Sequence, residues 1–161
     1  MRGDEAIVTI LNEQLTSELT SINQYFVHAK MQGNWGYTRM AQKTREESIE
    51  EMVHAEHITD RILFLDGLPN YQRLLPLRIG QTVREQFEAD LSVEKEAVER
   101  LQPAIGVCRE KGDATTANLL EGILKDEEDH VDYLETQLGL MERLGEQLYL
   151  AQLVEQPPTN G

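Results

Sequence analysis

The sequence contains a single cysteine, Cys108, among its 161 residues. A lone cysteine cannot form an internal disulfide, which suits a reducing cytoplasm, and its position at a helical core spacing predicts a buried and inert thiol. No apolar run approaches the roughly 18 residues that a membrane span needs, and no apolar secretory segment follows the opening residues MRGDEA. We therefore expect a cytoplasmic protein that does not bind membranes.

Basic residues are scarce as well. Fifteen lysines and arginines stand against 29 aspartates and glutamates, which gives a formal net charge of −14. Nucleic acids and anionic membranes bind through basic patches, so this balance argues against both as partners. It suits a protein that binds cations, although an acidic surface that serves only solubility is the commoner reason for such a charge.

Sustained strand-like alternation is also absent, and the apolar residues recur instead at helical spacing. Turn signals separate the helical stretches: Gly67-Leu68-Pro69 is a helix terminator, and Thr82 and Glu85 have the spacing of a capping box. The sequence therefore predicts four long helices and a short fifth one, at about 4–34, 37–66, 82–111, 115–144 and 146–154.

The lengths of the connections predict how these helices are arranged. Short turns join the first two and the last two long helices, whereas the stretch GLPNYQRLLPLRIGQ separates the second from the third. Extended, this stretch reaches about 50 Å, and each long helix measures about 45 Å, so the connector can return along the whole bundle. We expect an all-α four-helix bundle with one long crossover, a single domain over 1–155, and a flexible tail at 156–161.

Each long helix carries a glutamate near the middle of its apolar face, and two of these glutamates are followed three residues later by a histidine on the same face. The intervals from Glu18 to Glu94, from Glu51 to Glu127 and from His54 to His130 are all 76 positions. One helical hairpin therefore occurs twice in register. We expect the bundle to bring six side chains to one level: Glu18, Glu51, His54, Glu94, Glu127 and His130.

Buried carboxylates without a partner each cost several kcal/mol, about 3–5 when a counter-charge is lacking. A single buried glutamate or histidine is usually a hydrogen-bonded core group, but no lysine or arginine lies on these faces close to the six residues. Four carboxylates balance two divalent cations, and oxygen ligands with one imidazole per metal suit iron or manganese. The sequence thus predicts a two-metal site of the pattern that ferritin-like di-iron proteins carry.

Three other residues lie near this predicted site. Tyr25 shares the face of Glu18 and either hydrogen-bonds a ligand or is an ordinary core tyrosine. Glu47 lies near the ligand face and either supports the site, lines its access path or is a solvated charge. His57 forms an HxxH pair with His54 but points away from the core, so we expect it to be exposed rather than part of a zinc site.

Met52 lies off the apolar face of its helix, which is unusual for a residue of this type. Together with an apolar second face on the first helix, it indicates a subunit interface, in which a methionine is more often packing than a cofactor ligand. The residues of this predicted interface are Met52, Leu63 and Arg45 on the second helix and Leu19, Asn23 and Phe26 on the first.

Several segments resemble bacterioferritin, and the resemblance covers nearly the whole chain. They are INQYFVHAKM, NWG, ESIEEMVHAEHITDRILFLDGLPN, ADLSVE and ILKDEEDHVDYLETQLGL, with the short fifth helix. The doubled Glu-x-x-His and the methionine after Glu51 separate the sequence from eukaryotic-type ferritins, and the cysteine pairs of rubrerythrin are missing. The resemblance implies a ferritin-like bundle with a long crossover between its second and third helices.

The resemblance also implies a function for individual residues. The six residues match di-iron ferroxidase ligands, with Glu51 and Glu127 as bridging carboxylates, and Tyr25 stands at its family position. Met52 matches the axial ligand of a b-type haem shared by two subunits across a two-fold axis. The implied protein is a homo-oligomeric shell of 24 subunits that oxidises Fe(II) with oxygen or peroxide and stores ferric mineral. A ferredoxin-type reductant is the implied partner for iron release.

The sequence departs from the family at two places. Glu46 and Glu50 stand where many members have a histidine and an aspartate that form an inner-surface iron site, and Tyr133 stands where some members have tryptophan. Two other functions stay open at this point. One is a structural or haem-carrying assembly whose metal site is a folding element, and the other is a dimeric di-metal oxygenase or small peroxidase.

Overall fold

The computed structural model describes residues 1–154, and these form five helices without a strand. The helices are α1 (Glu5–Asn34), α2 (Thr38–Phe64), α3 (Val83–Glu110), α4 (Ala114–Leu144) and α5 (Glu146–Ala151). The predicted all-α bundle with a long crossover and a short fifth helix is confirmed. Helix α5 ends three residues before the predicted boundary, and the tail predicted at 156–161 lies outside the described residues. No helix within 1–154 is both long enough and apolar enough to cross a membrane.

Local signals begin three of the long helices. The carboxylate of Asp4 accepts a hydrogen bond from Ala6 N, Thr82 Oγ1 accepts one from Glu85 N, and Asp113 accepts one from Thr116 N. These caps satisfy backbone N–H groups that have no partner in the first turn of a helix. At the other end of α4, Gly145 adopts a φ of 81°, a left-handed value that favours glycine, and the chain turns there into α5.

The crossover at 65–82 lies along α1, and side chains of α1 hold its backbone. Near the start of α1, the Asn12 side chain donates to Leu68 O and accepts from Asn70 N. Further along, Thr20 Oγ1 accepts from Leu75 N and Gln24 Oε1 accepts from Arg78 N. Towards the end of the helix, His28 Nε2 accepts from Gly80 N. The connector therefore passes along α1 from its beginning towards its end. Helix α3 consequently starts near the end of α1 and runs parallel to α2, as the length of the connector predicts.

The apolar core has two parts with polar residues between them. One cluster occupies the half of the bundle that contains the start of α1 and the end of α2, and the second cluster packs under α5. Cys108 is fully buried in the first cluster, as predicted. Along α2, α3 and α4 the predicted metal-binding glutamate falls between residues of the two clusters, and on α1 Glu18 follows the last fully buried residue of the first cluster, Leu15. The fold thus places the six polar residues in the middle of the bundle.

A candidate two-metal centre

All six predicted ligands are buried in the middle of the bundle, and none is more than 6% exposed. Each long helix contributes a glutamate, and α2 and α4 add a histidine one turn further along. These side chains point inward because they share a face with core residues such as Leu15, Ile58 and Leu101. The structure therefore brings together the six residues that the sequence analysis selects.

The first group of candidate ligands surrounds the Nδ1 atom of His54. This atom lies 3.2 Å from Glu127 Oε1, 3.4 Å from Glu18 Oε1 and 3.8 Å from Glu51 Oε1. Each of the four residues offers a ligand atom, and these four atoms lie within 4.8 Å of one another. Such a cluster has the size of a single metal coordination sphere.

The second group surrounds His130 in the same way. Its Nδ1 atom lies 3.3 Å from Glu51 Oε1 and 3.4 Å from Glu94 Oε1. Together with Glu127, these residues again offer four ligand atoms within 4.8 Å of one another. Glu51 and Glu127 belong to both groups, so the two candidate positions are adjacent and share two carboxylates.

Every one of the six residues has a buried polar atom without a hydrogen-bond partner. These atoms are Glu18 Oε2, Glu51 Oε1, His54 Nδ1, Glu94 Oε2, Glu127 Oε1 and His130 Nδ1. Unpaired buried polar atoms are rare in folded proteins and indicate a bound group or a functional role. Carboxylate oxygens with one imidazole nitrogen per position are a donor set that suits iron or manganese. The residues present therefore fit a pair of such cations.

The acids in this cluster do not share one electrostatic environment. Burial raises the pKa of Glu51 well above its usual range, and the charges of Glu18 and Glu127 add to this effect. Burial and the neighbouring charges of Glu94 and Glu18 raise the pKa of Glu127 in the same way. Burial also opposes ionisation of Glu18, but its close contacts with Glu51 and His54 outweigh burial and lower its pKa. Without a cation, the two shared carboxylates therefore favour the neutral form.

The histidines carry much of the compensating charge. Burial opposes protonation of His54, but the adjacent carboxylates of Glu127 and Glu18 prevail and raise its pKa to about 11. For His130, the adjacent carboxylates of Glu47 and Glu94 likewise outweigh burial and raise the pKa to about 12. Within residues 1–154, the salt bridges to the four central glutamates come from these two imidazoles. Bound cations would take the place of these protons.

Carboxylates hold the outer nitrogen of each imidazole. His54 Nε2 lies 2.8 Å from Asp126 Oδ2, and His130 Nε2 lies 2.6 Å from Glu47 Oε2 and 2.7 Å from Glu50 Oε2. Such contacts fix the ring orientation of metal-binding histidines. Glu47 is buried and also forms a salt bridge with Lys43, so the structure places it against the site. Asp126 is not among the residues predicted from the sequence, where its position next to Glu127 is its only signal.

Two further side chains donate hydrogen bonds to Glu94 and Glu18, the two glutamates that the candidate metal positions do not share. Tyr25 donates its hydroxyl hydrogen to Glu94 Oε1 at 2.5 Å, and Gln14 Nε2 donates to Glu18 Oε1 at 2.8 Å. Tyr25 is 4% exposed and lies where the sequence predicts it, in contact with the site. Gln14 was missed because a single glutamine on a helix that also carries Gln24 and Gln32 has no distinguishing pattern.

A groove of about 810 Å³ lies between α2 and α4 and leads to the outer edges of both histidines. Glu50, exposed to solvent, lies in this groove and forms a third group of candidate ligands with Glu47 and His130. Glu46 lies instead at a separate pocket that Arg39 and Gln42 also line. The two residues suggested for an inner-surface site are thus in different surroundings, and Glu50 is the one beside the metal centre.

Five of the six residues of the predicted interface are exposed, whereas Leu19 is half-buried and packs against the first core cluster. Phe26, Met52 and Leu63 are 49%, 54% and 55% exposed, which is high for large apolar side chains. His57 is exposed, as the sequence predicts, and it lines the same groove as His54. Tyr133 also lines this groove, with its ring 5.0 Å from Lys43 Nζ.

Comparison with known proteins agrees with this geometry. The sequence profile of the family described as "Ferritin-like domain" matches residues 8–144, which is most of the chain. The chain belongs to the ferritin-like domain family. The sequence-based resemblance to bacterioferritin within this family is also confirmed, because many of the matching proteins carry that name.

Three members of the family illustrate the similarity. The chain is 67% identical over 159 residues to a bacterioferritin of Mycolicibacterium paratuberculosis, covering 99% of this chain and all of that one. It is 60% identical over 156 residues to a bacterioferritin of Streptomyces coelicolor, covering 97% and 93% of the two chains. The solved structure of Mycobacterium tuberculosis bacterioferritin, BfrA, matches with a TM-score of 0.96 and 66% identity, covering 99% and 100%.

Proposed function

We propose that this protein stores iron and is a ferroxidase, with Fe(II) as the substrate of the two-metal centre. The observation that carries the proposal is the pair of four-residue groups that share Glu51 and Glu127, with an unpartnered buried atom on each of the six residues. The name of the relatives supports it, since proteins 60–67% identical over nearly the full chain are called bacterioferritins.

In this proposal each Fe(II) ion binds one histidine, one outer glutamate and the two shared glutamates. His54 and Glu18 hold one ion, and His130 and Glu94 hold the other. Each imidazole loses the proton on Nδ1 when iron binds and keeps the N–H at Nε2, which donates to Asp126 or to Glu47 and Glu50. Because four carboxylates balance two dications, binding removes the repulsion among the buried acids.

Two Fe(II) ions together supply two electrons, and the oxidant accepts them. Dioxygen with two protons yields hydrogen peroxide, and hydrogen peroxide with two protons yields two water molecules. The protein's part is to hold both ions next to each other and to keep the site away from bulk water. The groove between α2 and α4 is wide enough to admit ions and small oxidants to the histidine edge.

The same proposal extends to the assembly. We infer a single domain over 1–155 that forms a homo-oligomeric shell of 24 subunits in the cytoplasm, with ferric mineral in its cavity. The formal charge of −14 suits a protein that collects cations. Release of the stored iron requires an electron donor, for which a ferredoxin-type protein is our proposal.

A b-type haem is the proposed second cofactor, and Met52 from each of two subunits would hold it. The supporting observation is that Met52 is 54% exposed on α2, so its thioether is accessible to a group shared between chains. Haem would supply electron transfer at the interface. Replacing Met52 with leucine should abolish the bis-methionine visible spectrum, and an unchanged spectrum in that variant would rule Met52 out.

Stopped-flow oxidation of Fe(II) by the metal-free protein tests the ferroxidase proposal. Glu18→Ala and His130→Ala should each lose the rapid initial phase while the shell still assembles, whereas Glu56→Ala, an exposed position on α2, should retain it. Unchanged initial oxidation in both site variants would refute the proposal. Binding of two ions without oxidation would favour a structural metal site instead.

The native mass distinguishes the storage shell from the remaining alternative, a dimeric oxygenase or peroxidase. A storage shell should have about 24 times the 18.4 kDa mass of the chain. A dimeric oxygenase or peroxidase should have about twice that mass.

A further inference from the structure

A chain of hydrogen bonds links Arg100 on α3 to the metal centre through Gln14 on α1. Nη2 and Nε of Arg100 donate to Gln14 Oε1 at 3.2 and 3.4 Å, and Gln14 Nε2 donates to Glu18 Oε1 at 2.8 Å. A guanidinium group has donors only, so Gln14 must present its oxygen to Arg100 and its NH₂ group to Glu18. Arg100 thereby fixes the orientation of the Gln14 amide.

The hydrogen bond from Gln14 determines which oxygen of Glu18 is left without a partner. Oε1 accepts the hydrogen bond from Gln14, whereas Oε2 is buried without a partner. Gln14 is 2% exposed and Glu18 is 1% exposed, so the hydrogen bond between them lies away from bulk water. A rotation of the carboxylate would cost both this hydrogen bond and the contact with His54. The carboxylate is therefore held with one oxygen available before any cation arrives.

The other outer glutamate is held differently. Glu94 Oε1 accepts from the Tyr25 hydroxyl, and its Oε2 atom is the one without a partner. The donor to Glu94 is thus a phenol on the core face of α1, while the donor to Glu18 is an amide backed by a permanent cation. This difference makes the two metal positions experimentally distinguishable.

We infer that Arg100 is a positioning residue which, through Gln14, raises the affinity of the metal position formed by Glu18 and His54. Arg100 does not touch the metal. The inference rests on the proposed function only insofar as divalent cations bind between the six residues. It assigns no redox role to Arg100 or Gln14.

The charge of Arg100 makes the sign of its effect informative. A guanidinium close to the site repels a dication, so a purely electrostatic role predicts tighter metal binding when Arg100 is replaced by an apolar residue. A positioning role predicts weaker binding, because the amide loses its fixed orientation and Glu18 Oε1 loses its donor. The two roles therefore predict opposite outcomes for the same substitution.

Cobalt(II) is a suitable probe because it binds such sites without being oxidised by air as readily as iron. Crystals of the metal-free assembly equilibrated with sub-saturating Co(II) give the occupancy of each position from anomalous diffraction. We expect Gln14→Leu and Arg100→Met to lower the affinity of the Glu18 and His54 position about tenfold, the loss expected for a hydrogen bond to a charged group. The Glu94 and His130 position should keep its occupancy.

Two controls separate positioning from a general loss of packing. Arg100→Lys retains the charge and a single donor nitrogen in place of the planar guanidinium group, and it should recover part of the occupancy. Arg109→Met removes an exposed arginine of α3 that pairs with Glu121, and it should leave both positions unchanged. Thermal midpoints of the metal-free variants report whether each one is folded.

The possible outcomes are distinct. If wild-type crystals contain no cobalt between the six residues, the proposed function fails. If the wild type binds two cobalt ions, the proposed function stands. The inference about Arg100 is then wrong if both variants lose occupancy equally at the two positions, or if they bind cobalt as tightly as the wild type does. Selective loss at the Glu18 and His54 position in both variants supports it.

Discussion

The carboxylate of Asp126 lies 2.8 Å from Nε2 of His54, so a residue of α4 orients an imidazole of α2. The reverse arrangement holds His130 of α4, whose Nε2 lies 2.7 Å from Glu50 of α2. Each helix that carries a Glu-x-x-His sequence thus supplies an acid that holds the histidine of the other. Since α2 and α4 border a wide groove, these contacts join the two helices at the level of the metal centre.

Replacing Asp126 with alanine should weaken cation binding at the His54 position. The Nε2–H group loses its acceptor, and changes of this kind usually cost about 10–100-fold in metal affinity. Titration of the metal-free protein with Co(II), followed by visible absorption, measures the effect. Asp129→Ala is the matched control, because Asp129 lies on the same helix and pairs with the exposed Lys125. Equal affinity in the two variants would contradict this assignment.

The sequence predicts the bundle and the six central residues for the same physical reason. Helical periodicity determines which face each residue occupies, and two hairpins with an identical offset place Glu18 with Glu94 and His54 with His130 at one level. Polar residues on an otherwise apolar helix face can be recognised from the amino-acid sequence. The four helices and the grouping of these residues therefore follow from spacing alone.

The residues that support the site do not follow from spacing. Gln14 and Arg100 are 86 positions apart, and their contact depends on how α1 and α3 are packed and on which rotamers they adopt. Asp126 lies off the apolar face of α4, where acids are common. The apolar faces carry no basic residue near the acids, whereas Arg100 of α3 reaches Glu18 through an intervening amide.

One signal in α1 could have been found in the sequence. Four polar residues at multiples of four positions, Asn12, Thr20, Gln24 and His28, form a single row along the helix and bind the backbone of the crossover. An irregular segment needs partners for its N–H and C=O groups. A polar row on a long helix beside a long connector therefore indicates where that connector lies.

Replacing Gln24 with leucine should loosen the crossover. Gln24 is 1% exposed, accepts from Arg78 N and donates to Asp90 Oδ1. The change therefore removes the acceptor of the Arg78 N–H group and one of two partners of Asp90 Oδ1, which also lies 3.0 Å from His28 Nδ1. We expect a loss of about 2 kcal/mol or more in stability and faster proteolytic cleavage within residues 68–80. Gln42→Leu, at an exposed position of α2, should change neither quantity. Equal cleavage rates in the two variants would show that Gln24 does not anchor the segment.

Replacing Asp113 with alanine should destabilise the start of α4. Its carboxylate accepts from Thr116 N and Thr116 Oγ1, and from Arg61 Nη2 at 2.8 Å. Loss of the cap costs about 1–2 kcal/mol, which corresponds to a fall of roughly 3–6 °C in the thermal midpoint for a chain of this size. Asp60→Ala, an exposed acid on α2, should have little effect.

The contribution of Asp113 should also depend on pH in a defined direction. Burial opposes its ionisation, but the Thr116 hydrogen bonds and Arg61 outweigh burial and lower its pKa from 3.8. A lowered pKa stabilises the folded state above pH 3.8, and this stability is lost as the pH falls through the folded value. The difference in thermal midpoint between the wild type and Asp113→Ala should therefore shrink in acid. A difference that grows as the pH falls would contradict this account.

The metal-free protein should lose stability as the pH rises from about 6.5 to 9. The pKa values of His54 and His130 are raised from 6.5 to about 11 and about 12 in the folded state. The folded state therefore holds protons that the unfolded chain releases, and this stabilisation is complete below pH 6.5 and declines above it. The raised pKa values of Glu51 and Glu127 act in the same direction above pH 4.5. Thermal midpoints of the metal-free protein across this range measure the decline.

A bound cation should counteract this decline in stability with pH. The cation replaces the protons of the two histidines, and it binds more strongly at higher pH because those protons are then easier to remove. The rise in thermal midpoint on adding Co(II) should therefore increase with pH. In His54→Gln the decline of the metal-free protein should be shallower, since one of the two imidazoles is missing. His57→Gln removes an exposed histidine of the same helix and should follow the wild type. A midpoint of the metal-free wild type that stays constant or rises towards pH 9 would mean that the buried histidines do not hold the protons which neutralise the central acids.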